Sequence, residues 1–194
     1  MISNTALEIY TPDPEAVQQF YKHHKQAAYW AQVWPASIGL CLFLKAHPEY
    51  IAGKNVLELA AGLGLPGLYI APLAKQVIIT DKEPRASGYV LRSAGHLQLN
   101  NIEAKTLNWQ DAVSETLPDI LLLSDVSYEP SIFEALKKVL KYFLNNKVPV
   151  IISTPQRLVA RPFINDLLPY STQQRNYTVG LNNKETDVSI YVLE

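Results

Sequence analysis

From residue 55 to residue 168, short apolar segments alternate with amphipathic segments of helical period, and this alternation most constrains the fold. Strands are predicted over Asn55–Ala60, Gln76–Thr80, Ala104–Leu107, Asp119–Ser124 and Val148–Ser153. Helices are predicted after the first strand to about Ala74, over Pro84–Leu99, over Ser131–Leu144, and to about Leu168. Alternation of this kind predicts a parallel sheet with helices on both faces.

The two ends of the chain follow other patterns. Helices are predicted over Glu15–Ala28 and Ser37–Ala46. Two consecutive strands, Thr172–Val179 and Val188–Leu193, flank a polar turn near Asn182 and predict an antiparallel hairpin. The expected fold is therefore α/β: one Rossmann-like domain over residues 1–194, with seven mostly parallel strands closed by that hairpin. Residues 1–50 are expected to form a helical cap on the core of residues 51–194.

Composition narrows the setting. With 194 residues, 48% of them hydrophobic, the chain can bury one sizeable core. The formal charge of -1 gives no electrostatic reason to expect nucleic-acid or anionic-membrane binding. Cys41 is the one cysteine, which excludes an intrachain disulfide and a multi-cysteine zinc site. The N-terminal residues lack a signal-peptide pattern, and we expect a cytoplasmic monomer without a membrane span.

Glycines follow the first strand of the core. Gly62, Gly64 and Gly67 leave bare backbone at the carboxyl edge of the sheet, where ligands of such folds bind. Asp81 ends the next strand, as the ribose-binding acid of a dinucleotide site would. Glu58 adds a second acid, which suits a cationic cofactor with a ribose and an amino group better than it suits a pyrophosphate.

The segment Glu58-Leu-Ala60-Ala-Gly62-Leu-Gly64 resembles the glycine loop of the seven-strand class I methyltransferases, with alanine at the first glycine position. The resemblance implies S-adenosylmethionine as the cofactor. It also implies that Gly62 and Gly64 line the cofactor, that Glu58 orients its amino end, and that Asp81 accepts from its ribose hydroxyls. The methyl group of Ala60 would lie near the methionine moiety.

Three further motifs are similar to the family 16 methyltransferases, which include many protein lysine methyltransferases. They are Tyr29–Ser37 before the glycine strand, Asn108-Trp109 after the third strand, and the segment Asp125–Tyr128 after the fourth. The resemblance extends over residues 29–157. It implies that Trp109 packs on the adenine, that Trp34 closes over the cofactor, and that Ser124 borders the methionine end.

The implied reaction is an in-line displacement that needs no metal. Asp125 is expected to accept a hydrogen bond from the acceptor nitrogen, with Tyr128 supporting the same group as the second catalytic residue. The adjacent His23 and His24 point about 100° apart on a helix and lack further ligands, so no metal site is expected. Arg157, Arg161 and the pair Lys137-Lys138 could border an acidic acceptor, but they are interpreted as ordinary solvated charges.

The residues leave the acceptor open. The favoured function is methylation of a protein lysine, and a small-molecule N-methyltransferase on the same fold has almost the same catalytic requirements. The glycine spacing also permits an NAD-dependent oxidoreductase, although about 50 residues precede the glycine strand and no second catalytic domain is expected. A catalytically silent binding module is the remaining alternative.

Overall fold

The computed structural model describes residues 7–23 and 28–194, and its centre is a seven-stranded sheet. The strands are β1 (Asn55–Leu59), β2 (Gln76–Asp81), β3 (Ile102–Thr106), β4 (Ile120–Ser124), β5 (Val150–Pro155), β6 (Ser171–Leu181) and β7 (Lys184–Leu193). Their order is β3-β2-β1-β4-β5-β7-β6. The first five strands are parallel, and β7 is antiparallel to both of its neighbours. The predicted Rossmann-like sheet with a closing hairpin is confirmed.

Among the described residues, five of the six α-helices have proline at their first or second position. The helices are α1 (Pro14–His23), α2 (Pro35–Ala46), α3 (Leu65–Ile70), α4 (Pro84–His96), α5 (Phe133–Asn145) and α6 (Arg161–Leu167). Proline suits the first helical turn because its missing N–H has no partner there in any helix. The first helix, predicted over Glu15–Ala28, is described over Pro14–His23; Ala28 itself is not helical, and residues 24–27 lie outside the described residues.

Alternate side chains of the central strands enter two different apolar layers, as the two-residue period of a strand requires. Val56 and the residues beside it on the neighbouring parallel strands pack against α2, α3 and α4. Leu57 and Leu59 point to the opposite face and pack against α5 and α6. Helices therefore cover both faces of the sheet, and no helix of the described residues has the length and apolar character needed to cross a bilayer.

Helix α2 is part of one of the two core layers. The Ser153 hydroxyl, on β5, donates to the Ala36 carbonyl at 2.6 Å. A Cβ atom added to Gly39 would lie 2.8 Å from Val188 Cγ1, on β7. The backbone of α2 thus rests directly on the sheet, and it carries the segment before it to the carboxyl ends of the strands.

The hairpin between β6 and β7 is longer than predicted because its turn is short. Asn182 and Asn183 both adopt positive φ, 50° and 59°, which is typical of a two-residue turn that matches the twist of a hairpin. The ladder pairs Leu181 directly with Lys184. Polar residues that looked like a loop in the sequence are therefore strand residues.

Candidate functional site

A cavity of about 1160 Å³ opens at the carboxyl edge of the parallel strands. Its wall contains most of the residues that the sequence predicted for the site: Trp34, Ala60, Gly62, Asp81, Trp109, Ser124, Asp125 and Tyr128. The loops after β1, β2, β3 and β4 bring them together, because parallel strands all end at this edge. A cavity of this size can hold a nucleoside cofactor together with the end of an acceptor side chain.

The loop after β1 is a succession of left-handed residues. Ala60, Gly62 and Gly64 have φ of 51°, 56° and 68°. A Cβ atom on Gly62 would lie 3.0 Å from the Trp30 carbonyl oxygen, so only glycine fits there without displacing backbone. Ala60 ends β1 early, one residue before the predicted boundary, because a left-handed residue cannot continue a strand.

Asp81 holds this loop and faces the cavity. Its Oδ2 accepts from the Gly62 amide at 2.8 Å, and its Oδ1 accepts from the Glu83 amide at 2.9 Å. Burial raises the pKa of Asp81, and the two amide bonds oppose that rise. An ionised carboxylate offers about four acceptor positions, so Asp81 keeps capacity to accept from ribose hydroxyls. The acceptor capacity of Asp81 therefore fits the ribose of the expected cofactor.

Two predicted site residues, Glu58 and Gly64, lie behind the cavity wall. Gly64 is the N-cap residue just before α3, and a Cβ atom there would meet Ile79 Cγ2 at 2.9 Å. Glu58 is fully buried, with its Oε2 accepting from the Gly67 amide at 2.8 Å and its Oε1 lacking a partner among the described residues. Burial raises the pKa of Glu58 from 4.5 to about 8. Neither residue is part of the cavity wall, and the roles predicted for Glu58 and Gly64 toward the cofactor stay predictions.

On the other side of β1 from Asp81, Asp125 follows β4 with a left-handed backbone of φ 54°. Its amide donates to the Ser153 carbonyl at 2.9 Å, which ties it to β5. Arg157 binds its carboxylate through two hydrogen bonds, of 2.7 Å to Oδ1 and 3.1 Å to Oδ2. Burial raises the pKa of Asp125, and the charge and hydrogen bonds of Arg157 oppose that rise.

The interpretation of Arg157 as a solvated charge was therefore wrong. Its side chain is 35% exposed and bonded to a carboxylate that is 7% exposed. Arg157 follows the carboxyl end of β5 by two residues, so the rule that located Asp125 also applied to it. That position was the signal in the sequence.

Three aromatic rings also line the cavity. The Trp34 indole N–H donates to the Tyr29 carbonyl at 2.8 Å. The Tyr29 ring lies 5.3 Å from that of Tyr128 and 6.2 Å from that of Trp34, measured between centroids. Tyr29 was part of a predicted motif, but no individual role was predicted for it. The rings place an apolar rim beside Asp125.

Ligands of a metal ion do not gather in this cavity. Within residues 7–23 and 28–194, no group of three or more His, Cys, Asp or Glu side chains could hold a metal ion. His24, one member of the pair considered above, lies outside the described residues.

Ala60 provides a test of the loop's strain. We expect Ala60→Gly to raise the free energy of unfolding by up to about 1 kcal/mol, because a left-handed non-glycine residue costs roughly 1–2 kcal/mol and the greater entropy of unfolded glycine offsets part of that gain. Urea unfolding measures the change. Ala61→Gly is the control, since Ala61 is not among the left-handed residues and should only lose stability. Equal destabilisation by both substitutions would contradict strain at Ala60.

The sequence matches a family and several curated relatives. A family profile described as "Lysine methyltransferase" matches residues 18–168. Histone-arginine methyltransferase METTL23 of Mus musculus is 34% identical over 129 residues, 63% of this chain and 51% of that protein. Protein N-lysine methyltransferase METTL21A of Danio rerio is 28% identical over 169 residues, 83% of this chain and 75% of that protein. The chain thus spans about half the length of the mouse relative.

Solved structures share the fold. N-methyltransferase NodS from Bradyrhizobium japonicum, in complex with S-adenosyl-l-homocysteine, superposes with a TM-score of 0.65 over 92% of this chain and 97% of that one. The two sequences are 13% identical, so the likeness shows a common fold and carries no information on the acceptor.

Proposed function

Because the chain belongs to the lysine methyltransferase family of S-adenosylmethionine-dependent enzymes, we propose that it methylates a nitrogen of a protein side chain, with lysine as the acceptor. The observation that supports this proposal is one cavity whose wall combines two sets of residues. Gly62 and Asp81 offer backbone and carboxylate to a nucleoside, and Asp125 and Tyr128 offer a carboxylate and a hydroxyl to an acceptor.

The cofactor would lie along the ends of β1, β2 and β4. Asp81 accepts from the ribose hydroxyls, and the bare backbone at Gly62 allows the cofactor to approach closely. Trp109 is half-buried in the wall and provides an apolar surface for the adenine. Ser124, the last residue of β4, borders the methionine end, next to Asp125. Trp34 is also part of the cavity wall, and it closes over the cofactor.

S-adenosylmethionine supplies a methyl group on a sulfonium, whose departure leaves a neutral thioether. The acceptor nitrogen forms its bond to the methyl carbon as the carbon–sulfur bond breaks, and the electron pair of that bond goes to sulfur. A lysine with a reference pKa of about 10.4 must first lose a proton to water. Asp125 accepts a hydrogen bond from the amine and directs its lone pair, and Tyr128 supports it. Such positioning can lower the barrier by about 7–11 kcal/mol.

Arginine is the second candidate acceptor. METTL23 of Mus musculus is named a histone-arginine methyltransferase, whereas a relative from Arabidopsis thaliana, 32% identical over 123 residues, is named a calmodulin-lysine N-methyltransferase. The matches therefore include both chemistries on protein acceptors. The family description favours lysine for this chain. A monomer in the cytoplasm stays a prediction.

Asp81→Asn tests the cofactor site. We expect it to weaken binding of S-adenosylmethionine by about 10- to 150-fold, because a hydrogen bond to a charged group contributes about 1.5–3 kcal/mol. Isothermal titration calorimetry measures the affinity, with NAD as a second ligand. Asp111→Asn is the matched control, since Asp111 is exposed and outside the cavity wall. Binding of NAD without binding of S-adenosylmethionine would overturn the proposed function.

Methyl transfer completes that test. The purified protein is incubated with S-adenosylmethionine carrying a labelled methyl group and a protein extract, and mass spectrometry locates the label. Label on lysine side chains supports the proposal. Label confined to arginine side chains or to small molecules contradicts the lysine assignment.

A further inference from the structure

The carboxylate at the acceptor end of the cavity is already bound by a guanidinium of this chain. Building on the proposed function, we propose that Arg157 is a specificity-determining residue: it occupies the two-oxygen face of Asp125, so that the site admits a lysine amine and rejects the guanidinium of arginine. Arg157 acts through Asp125 and is a positioning residue.

The geometry of the pair supports this role. Arg157 donates from two different nitrogens to the two different oxygens of Asp125, at 2.7 and 3.1 Å. A planar guanidinium binds a carboxylate best through two such parallel bonds. An incoming arginine would need the same face and would have to displace Arg157. An amine needs only one acceptor, and each oxygen of Asp125 keeps a second lone pair for it.

Both partners are fixed by backbone contacts. The Asp125 amide donates to the Ser153 carbonyl at 2.9 Å, and the Arg157 amide donates to the Pro155 carbonyl at 2.7 Å. The pair therefore joins the ends of two adjacent parallel strands, β4 and β5. Its carboxylate is almost fully buried, unlike that of an ordinary surface ion pair. Arg157 is held in place before any acceptor arrives.

The other carboxylates of the cavity wall do not offer a substitute. Glu83 is bound by Arg85 through two hydrogen bonds, of 2.6 and 3.0 Å. Asp81 holds the glycine loop at the cofactor end. Glu129 is exposed at the rim, where solvent screens its charge, and it accepts from the Ser131 hydroxyl at 2.7 Å. Selection against arginine therefore depends on the Asp125 face.

Two small cations probe this face in the complex with S-adenosylhomocysteine: n-butylammonium stands for lysine, and methylguanidinium stands for arginine. Their binding is followed by the ¹³C NMR signal of the Asp125 carboxylate. In the wild-type protein we expect n-butylammonium to bind at least about tenfold more tightly than methylguanidinium. In Arg157→Ala we expect the affinity for methylguanidinium to rise at least about tenfold, because methylguanidinium can bind the face of Asp125 that Arg157 has left. The Asp125 signal should then return toward its wild-type position.

Two further variants complete the design. Arg157→Lys keeps the charge but cannot make two parallel hydrogen bonds to Asp125. It should therefore bind methylguanidinium more tightly than the wild type does. Arg161→Ala removes an exposed arginine outside the cavity wall and should leave both affinities unchanged. If Arg157→Ala fails to fold, Arg157→Lys carries the comparison, with a smaller gain expected for methylguanidinium.

The outcomes separate the two proposals. Calorimetry with S-adenosylhomocysteine reports on the cofactor site. If neither the wild type nor any variant binds S-adenosylhomocysteine, the proposed function itself is refuted. With that binding intact, equal affinity of methylguanidinium for wild type and Arg157→Ala would refute the role of Arg157. Failure of methylguanidinium to bind Arg157→Ala would refute it as well.

Discussion

Replacing Asp125 with asparagine should lower the turnover number by about 10²-fold or more, because a small misplacement of the reacting groups already costs about that much. In the proposed mechanism, the carboxylate accepts a hydrogen bond from the nitrogen that attacks the methyl group. Asparagine keeps the shape but removes the charge, and it turns an NH₂ group toward Arg157 or toward the acceptor. Affinity for S-adenosylmethionine should stay nearly unchanged, because the proposed cofactor contacts are those of Asp81 and the glycine loop.

Steady-state kinetics on the protein acceptor found by mass spectrometry measures this effect, together with calorimetry of the cofactor. Asp111→Asn is again the matched control, as an exposed aspartate outside the cavity wall. A turnover number for Asp125→Asn close to that of the control would remove Asp125 from the mechanism. A loss of cofactor affinity without a change in turnover would move its role to cofactor binding.

The edge of the sheet could be predicted from the sequence because one rule governs it. Parallel strands end on the same side, so residues that follow β1, β2 and β4 must meet wherever the strand order makes these strands neighbours. Gly62, Asp81 and Asp125 were found in this way, and they do line one cavity. The apolar period also predicted the seven strands and the hairpin, since burial on one or both faces leaves a clear pattern.

Orientation was harder to predict than position. Glu58 and Val56 share a parity on β1, and the sequence does not show which helices will cover that face. The structure places α2 and α3 there, which removes Glu58 from the cavity. The partner of Arg157 also depends on tertiary structure, because the ends of β4 and β5 are adjacent only in the folded sheet. Ala60 and Asp125 adopt left-handed conformations that could not be predicted from the sequence, because neither residue type indicates such a conformation as glycine does.

The buried Glu58 should make the protein less stable as pH rises from about 4.5 to 8. In the folded protein, burial raises the pKa of Glu58 to about 8, whereas the unfolded chain ionises near the ordinary value of 4.5. Between these two values the folded state holds one more proton than the unfolded state, so each pH unit costs about 1.4 kcal/mol of stability. The contribution is fully present below pH 4.5 and is lost as pH passes through the folded pKa.

Glu58→Gln should flatten this dependence, because a neutral amide can accept from the Gly67 amide as the protonated carboxyl does. Urea unfolding at several pH values between 5 and 8 measures the pH dependence of stability. At pH 8 the free energy of unfolding of the variant should exceed that of the wild type by about 3–5 kcal/mol. Glu185→Gln is the control, since Glu185 is exposed on β7. Asp81 and Asp125 also have raised pKa values, but they titrate in both proteins, so the difference between the two curves isolates Glu58. Parallel curves for wild type and Glu58→Gln would mean that Glu58 is ionised in the folded protein at neutral pH.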